Sequence, residues 1–174
     1  NRRLAAPVYL GVVPLADTED GLRLEGDGSP VDWLVKMRRL PRAQMLDAQI
    51  EEDRVSRASI DRLGATLAAF YRTADPVRWT DDEYRGQLGA NLASKRSFLK
   101  RPRYDLDQGL VRAVARAQAR WRTEHAPLLS ARADHVVDAH GDLRPEHVCL
   151  TDPPLVLDCL EFNRSLRLLD PLSE

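Results

Sequence analysis

Ala139-His-Gly-Asp-Leu-Arg-Pro-Glu-His147 sets a carboxylate, Asp142, beside a glycine at the end of a β-rich run. A second carboxylate, Asp158, follows the three apolar residues Leu155-Val-Leu157. Between the acids lie two short β-rich runs, Val148-Cys-Leu150 and Leu155 to Leu160, joined through Thr151-Asp-Pro-Pro154 in the pattern of a hairpin. One acid opening a hairpin and another closing it are brought near each other by hairpin geometry. Converging carboxylates suit a hydroxyl nucleophile and a divalent cation: one orients and deprotonates the hydroxyl, the other holds the metal. The same two residues also read as a turn cap and a strand end, which are common and do no chemistry.

The elements that must carry this segment change character along the chain. Pro7 to Leu15 is a β-rich run that Pro14 closes. Leu22 to Leu24, Gly26-Asp-Gly28-Ser-Pro and Val31 to Met37 then read as a strand, a hairpin turn and a second strand. Together they predict a small antiparallel sheet of three strands, ended by Pro41. Ala43 to Glu52 carries a weak helical pattern, and Ser59 to Thr73 a stronger one with Ile60, Leu63, Leu67, Phe70 and Tyr71 on one face. Thr80-Asp-Asp-Glu83 is a capping-box pattern opening a helix with Tyr84, Leu88 and Leu92 on one side. A last helix starts near Asp107, and its stripe of Leu110, Val114, Ala117 and Trp121 is expected in the core. The basic stretch Lys100 to Tyr104 reads as a solvated connection. His135 to Asp138 is a strand running into a glycine turn. Sheet, helices and hairpin in that order predict an α+β fold, not an alternating parallel-sheet one.

Composition narrows the classes. The 174 residues carry 26 Lys and Arg against 27 Asp and Glu, a net charge of −1, which removes the electrostatic case for a nucleic-acid partner. No apolar run approaches the ~18 residues of a spanning helix, and Asn1-Arg-Arg has no signal-peptide core behind it. Cys149 and Cys159 do not make a disulfide framework; they lie on the two hairpin runs, where apolar packing is expected of them. A cytoplasmic protein with no membrane partner is the expectation. His125, His135 and His140 lack the spacing of a metal site. Trp33, Trp79 and Trp121 read as core or interface residues. The chain does not begin with Met and stops at Leu169-Asp-Pro-Leu-Ser-Glu174, a helix start with no helix after it, which reads as a piece of something longer, truncated at both ends.

The longer string is more specific. His140-Gly-Asp-Leu-Arg-Pro-Glu-His147-Val-Cys-Leu, followed by Leu155-Val-Leu-Asp158-Cys-Leu-Glu-Phe-Asn163, resembles the catalytic segment of the aminoglycoside phosphotransferase and choline kinase group of small-molecule kinases. Trp33-Leu-Val-Lys-Met-Arg-Arg-Leu-Pro41 resembles the strand and hinge that join the two lobes of their protein-kinase-like fold. With Tyr9-Leu-Gly-Val-Val-Pro14, it looks closest to a bacterial phosphotransferase-like branch of that group. The resemblance implies a partial kinase-like fold, with residues 1–40 as small-lobe strands and hinge and 41–174 as the helical catalytic lobe.

Carried over by that resemblance, Asp142 is the catalytic base and Asp158 holds Mg²⁺ bridging the phosphates of ATP. Met37 backs the adenine pocket, and the backbone of Arg38, Arg39 and Leu40 runs along the adenine edge. Asp170 matches a buried aspartate that braces the catalytic loop through backbone N–H groups. His147 stands where the group has Asn, the second metal ligand, and imidazole suits Mn²⁺ better than Mg²⁺. Arg144 replaces a His; phosphate contact and a surface pair with Glu146 both remain open for it. Nothing in the chain supplies the phosphate-covering loop or the lysine that pairs the phosphates, and Lys36 lies on the hinge strand instead. The implied activity is transfer of the γ-phosphoryl group of ATP to a hydroxyl of a small molecule. The alternative is a non-catalytic pseudokinase that binds a nucleotide or a partner. Uncovered apolar faces would favour a homodimer.

Overall fold

β-Branched and aromatic residues make the first third of the chain extended. The computed structural model, which describes residues 1–174, folds that third into an antiparallel three-stranded sheet. In chain order the elements are α1 (Arg2–Ala5), β1 (Tyr9–Thr18), β2 (Gly21–Leu24), β3 (Ser29–Met37), α2 (Leu46–Glu51) and α3 (Arg57–Thr73). They continue with α4 (Asp81–Leu99), α5 (Gln108–Glu124), α6 (Ala126–Ser130), β4 (Val137–Asp138), β5 (Val148–Cys149), β6 (Leu155–Val156) and β7 (Leu168–Leu169). The chain is therefore mixed, six helices with small sheets, and it divides into two units: residues 1–74 with 140–167, and 75–139 with 168–174.

In the first unit the sheet order is β2-β1-β3. The glycine segment between β2 and β3 is thus not a hairpin turn; it carries the chain from one edge of β1 to the other. Gly28 is required on that path, because a Cβ there would lie 1.8 Å from the carbonyl oxygen of Asp17. Pro14 does not close β1 either. Its carbonyl accepts from the N–H of Glu25 at 2.8 Å, so its nitrogen faces the same side, just where the β2 ladder stops at Leu15 opposite Leu24. The donor that proline lacks would have had little ladder to join. All of β3 is exposed, Trp33 included, so of the core and interface places expected for Trp33 the core is excluded.

The core of this unit lies elsewhere. Leu46, Leu63, Val148, Leu150 and Val156 form it, with Leu4, Val55, Leu67 and Leu143 packed against them. α3 enters it behind an N-cap, Ser56, whose hydroxyl accepts from the N–H of Ser59 at 3.1 Å. The expected helix from Ala43 is only α2, because Met45 is extended and bridges to Cys149 while the carbonyl of Gln44 accepts from Leu150. That pairing ties the segment after the sheet onto β5.

The second unit is helical. Thr80 and Glu83 close the capping box at the start of α4, and the backbone N–H of Thr80 holds the Glu83 carboxyl below its usual range. Asp107 caps α5 at the N–H groups of Gly109 and Leu110. β4 pairs with β7, and Asp170 then caps a short 3₁₀ turn at Leu172 while taking two hydrogen bonds from the guanidinium of Arg132 at 2.5 and 2.6 Å. The α5 stripe is not a core. Leu110 is 63% exposed, Val114 and Trp121 are exposed as well, and α5 has no buried residue. Leu92, Leu99, Leu106, Leu110 and Val114 instead line an open apolar groove of about 300 Å³ between α4 and α5.

Candidate active site

His140-Gly-Asp142 turns where only glycine fits. Gly141 has φ +89°, and a Cβ on it would stand 2.7 Å from the Cβ of Arg167. On one side of this glycine His140 is fully buried; on the other Asp142 emerges half-exposed. A carbonyl only accepts, so Nε2–H of His140 donates to the carbonyl of Leu157 at 2.6 Å, which leaves Nδ1 to accept from the N–H of Asp142 at 3.3 Å. One imidazole therefore ties the backbone of Asp142 to the residue before Asp158.

The β5–β6 hairpin brings the second acid back, with Val148 opposite Val156 and Cys149 opposite Leu155. The ladder ends sooner than the apolar run to Leu160 predicts. Asp158 leaves the extended region at φ +57°, and its backbone N–H donates to the hydroxyl of Tyr9 at 3.0 Å. Burial raises the pKa of that phenol; the N–H of Asp158 opposes the shift, and the nearby charges of Asp158 and Glu161 add to it. Cys159 is past the strand, with its thiol donating to the carbonyl of His140 at 3.1 Å, so it does not face Cys149; both cysteines are buried and neither is in a disulfide.

Asp142 and Asp158 open into one cavity of about 480 Å³, with Asn1, Cys159, Leu160, Glu161 and Phe162. The Asp158 side chain is 75% exposed and Asp142 42%. Behind them sits His147, only 7% exposed. Its Nδ1 lies 2.8 Å from the carbonyl of Asp142 and its Nε2 lies 2.9 Å from Nη2 of Arg144. A carbonyl cannot donate and a guanidinium cannot accept, so the ring is the neutral tautomer with its proton on Nδ1. Nε2 is also 3.4 Å from Oδ2 of Asp158. Arg144 reaches Oδ2 of Asp142 at 3.4 Å, so its pairing is with Asp142 and His147 and not with Glu146. No group of three or more His, Cys, Asp or Glu side chains is arranged to hold a metal ion by protein ligands alone.

Met37, Arg38, Arg39 and Leu40 do not line this cavity. They follow from the end of β3, where Met37 pairs with Tyr9 and the N–H of Arg38 donates to the carbonyl of Val8 at 2.8 Å. Tyr9 is the link, since it sits opposite Met37 and holds the backbone of Asp158. Sequence reasoning missed that role, along with the place of Asn1 and of Phe162, whose ring is 86% exposed at the cavity. An isolated tyrosine at the start of a strand carries no signal of what its hydroxyl will touch; only the β1–β3 register does. Asp170 bonds Arg132 and Leu172, a capping and pairing role within its own unit.

The family model described as "Phosphotransferase enzyme family" matches residues 6–169. Among curated proteins the chain is 29% identical over 181 residues to "Uncharacterized protein Mb2027c" of Mycobacterium bovis and to "Uncharacterized protein Rv2004c" of Mycobacterium tuberculosis. Each match covers all of the chain and 34% of the relative, so the chain spans about a third of the length of the curated relatives it matches. No solved structure matches it. No helix is long and apolar enough to cross a membrane.

Proposed function

The chain belongs to the phosphotransferase enzyme family, and from that premise we propose that it transfers the γ-phosphoryl group of ATP to a hydroxyl of a small molecule. The observation that supports this reading is the shared cavity of Asp142 and Asp158, two carboxylates of the same turn and hairpin. Asp142 accepts the proton of the acceptor hydroxyl and orients its oxygen. Its backbone is anchored by His140, so the carboxylate need not search for its position. The donor set fits a divalent cation: Asp158 is a hard, exposed oxygen ligand, and Mg²⁺ or Mn²⁺ held there supplies neutralisation of phosphate charge. Met37 backs the adenine, with Arg38, Arg39 and Leu40 along its edge. Residues 1–40 serve as small-lobe strands and hinge of a kinase-like fold, and 41–174 as its catalytic lobe.

A second reading, a non-catalytic nucleotide-binding module, is favoured by Arg144, which already engages both Asp142 and His147. One experiment separates them. ATP turnover is followed in the presence of Mg²⁺ or Mn²⁺ for the wild type and for Asp142→Asn, with nucleotide binding measured in parallel. The catalytic reading expects the variant to bind nucleotide and to lose about 10²- to 10⁴-fold in turnover, the scale of a general base. Equal turnover by the two proteins would remove Asp142 from the chemistry.

A further inference from the structure

We infer that the groove between α4 and α5 is the docking site of another protein's amphipathic helix, one whose apolar stripe is bordered by acidic residues. Every residue involved lies in the second unit, so the inference goes beyond the phosphotransferase reading and does not depend on it.

Neither α4, 19 residues long, nor α5, 17 residues long, has a buried residue. Helices in folded chains owe most of their stability to the packing of an apolar face, and both of these carry one. Leu88, Leu92 and Leu99 recur along α4 at the spacing of a single face, as Leu110, Val114 and Trp121 do along α5. The two stripes border the groove instead of closing on each other. Its hollow of about 300 Å³ runs on into a second of about 360 Å³ toward Trp121, with Leu92 and Gln118 common to both. From Leu110 to Trp121 the stripe is about 16 Å long, roughly three turns of helix. A trough of that length between two helices accepts the side-chain ridge of a third.

The charge around the trough selects the partner. Residues 84–123 hold ten Lys and Arg against Asp105 and Asp107, a net charge of +8 in a chain whose total is −1. Asp107 is the only carboxylate lining the groove, and it is spent on the N–H groups of Gly109 and Leu110. The ion pairs of the two helices lie away from the loop that joins them, Arg85 with Asp81 and Arg120 with Glu124. Lys95 and Arg96, which line the groove, have no carboxylate partner. Near the loop, Arg101 and Arg103 stack on the ring of Phe98 at 5.0 and 5.6 Å, which holds two more cations in place without neutralising them. Acidic residues beside a partner's stripe meet these cations, while its apolar side chains displace water from the trough. A second copy presenting the same face would set +8 against +8, which counts against a symmetric dimer here. A lipid bilayer offers a flat surface, and a nucleic acid has no apolar stripe to fill the hollow.

The probe is a synthetic helix of about 18 residues, with Leu at i, i+4, i+7 and i+11 and Glu at the flanking positions, labelled for fluorescence anisotropy with the full chain. Its counterpart has Lys for every Glu. The acidic peptide is expected to bind about tenfold or more tightly than the basic one, and to weaken as salt rises. Lys95→Glu combined with Arg96→Glu is expected to lower its affinity about fivefold to tenfold, and Leu110→Asp by about tenfold or more. All three positions are exposed, so these variants keep the fold. Equal binding of the two peptides, or an acidic peptide indifferent to Leu110→Asp, overturns the inference. So does tighter binding to vesicles of phosphatidylserine and phosphatidylcholine, or to a single-stranded oligonucleotide, than to the acidic peptide. A concentration-dependent dimer in sedimentation that Leu110→Asp dissolves gives the groove to a second copy and overturns it as well.

Discussion

Asp158 combines an exposed carboxylate with a left-handed backbone, φ +57°. A non-glycine residue there carries a strain of roughly 1 kcal/mol, less for Asp than for most. The strain persists because the N–H of Asp158 is held by Tyr9 and the preceding carbonyl by His140. Backbone and side chain are thus separable. Asp158→Gly is expected to abolish divalent-cation binding while leaving the unfolding free energy unchanged or raised by up to about 1 kcal/mol. Chemical denaturation beside a Mn²⁺ titration checks both halves. A glycine variant that unfolds much more easily would mean that the carboxylate holds the fold, not a ligand.

At the scale of elements, a two-bond polar tie in the second unit joins Arg132, just after α6, to Asp170 at the 3₁₀ turn after β7. Burial opposes the ionisation of Asp170, but the guanidinium of Arg132 and the N–H of Leu172 outweigh it and hold the carboxyl below its ordinary range. The folded value is therefore below the unfolded one. Stability from such a group is complete above the unfolded pKa, near ~3.9, and drains away as pH falls through the folded value. Asp170 is buried and its partner mostly so, which makes a broken pair costly. Arg132→Ala is expected to lose roughly 3 kcal/mol at neutral pH, with the gap to wild type closing below about pH 4. Urea midpoints across that range measure it, and a gap that stays constant into acid would show that packing, not charge, is what the arginine provides.

For the molecule as a whole, apolar residues are unequally used. Leu63 is in the core of the first unit, whereas Leu110, on an equally regular helical stripe, is solvent-exposed. Leu63→Ala is expected to cost about 2–4 kcal/mol through lost burial and the cavity left behind. Leu110→Ala is expected to stay within about 0.5 kcal/mol, as exposed substitutions do. Unfolding of the two variants in denaturant makes the comparison, and equal losses would mean that the α5 stripe is buried in solution.

Helix periodicity, the Thr80 and Asp107 caps and the hairpin around Thr151 to Pro154 are local, and the chain order alone sets them within a few residues. The HGD turn and the acid after the hairpin were legible for the same reason: their partners lie close in sequence. What tertiary structure decided is everything that joins distant segments. Whether β2 pairs with β3 or both flank β1 depends on edges that no run of residues prints, and the glycines suit either path. Whether a stripe is core depends on what packs against it, which left Leu110 in water and Leu63 inside. The hydroxyl of Tyr9 on Asp158 and the guanidinium of Arg144 on His147 depend on strand register and rotamers. Spacing along the chain selects which side chains can share a face; only the packed chain selects which polar atoms meet.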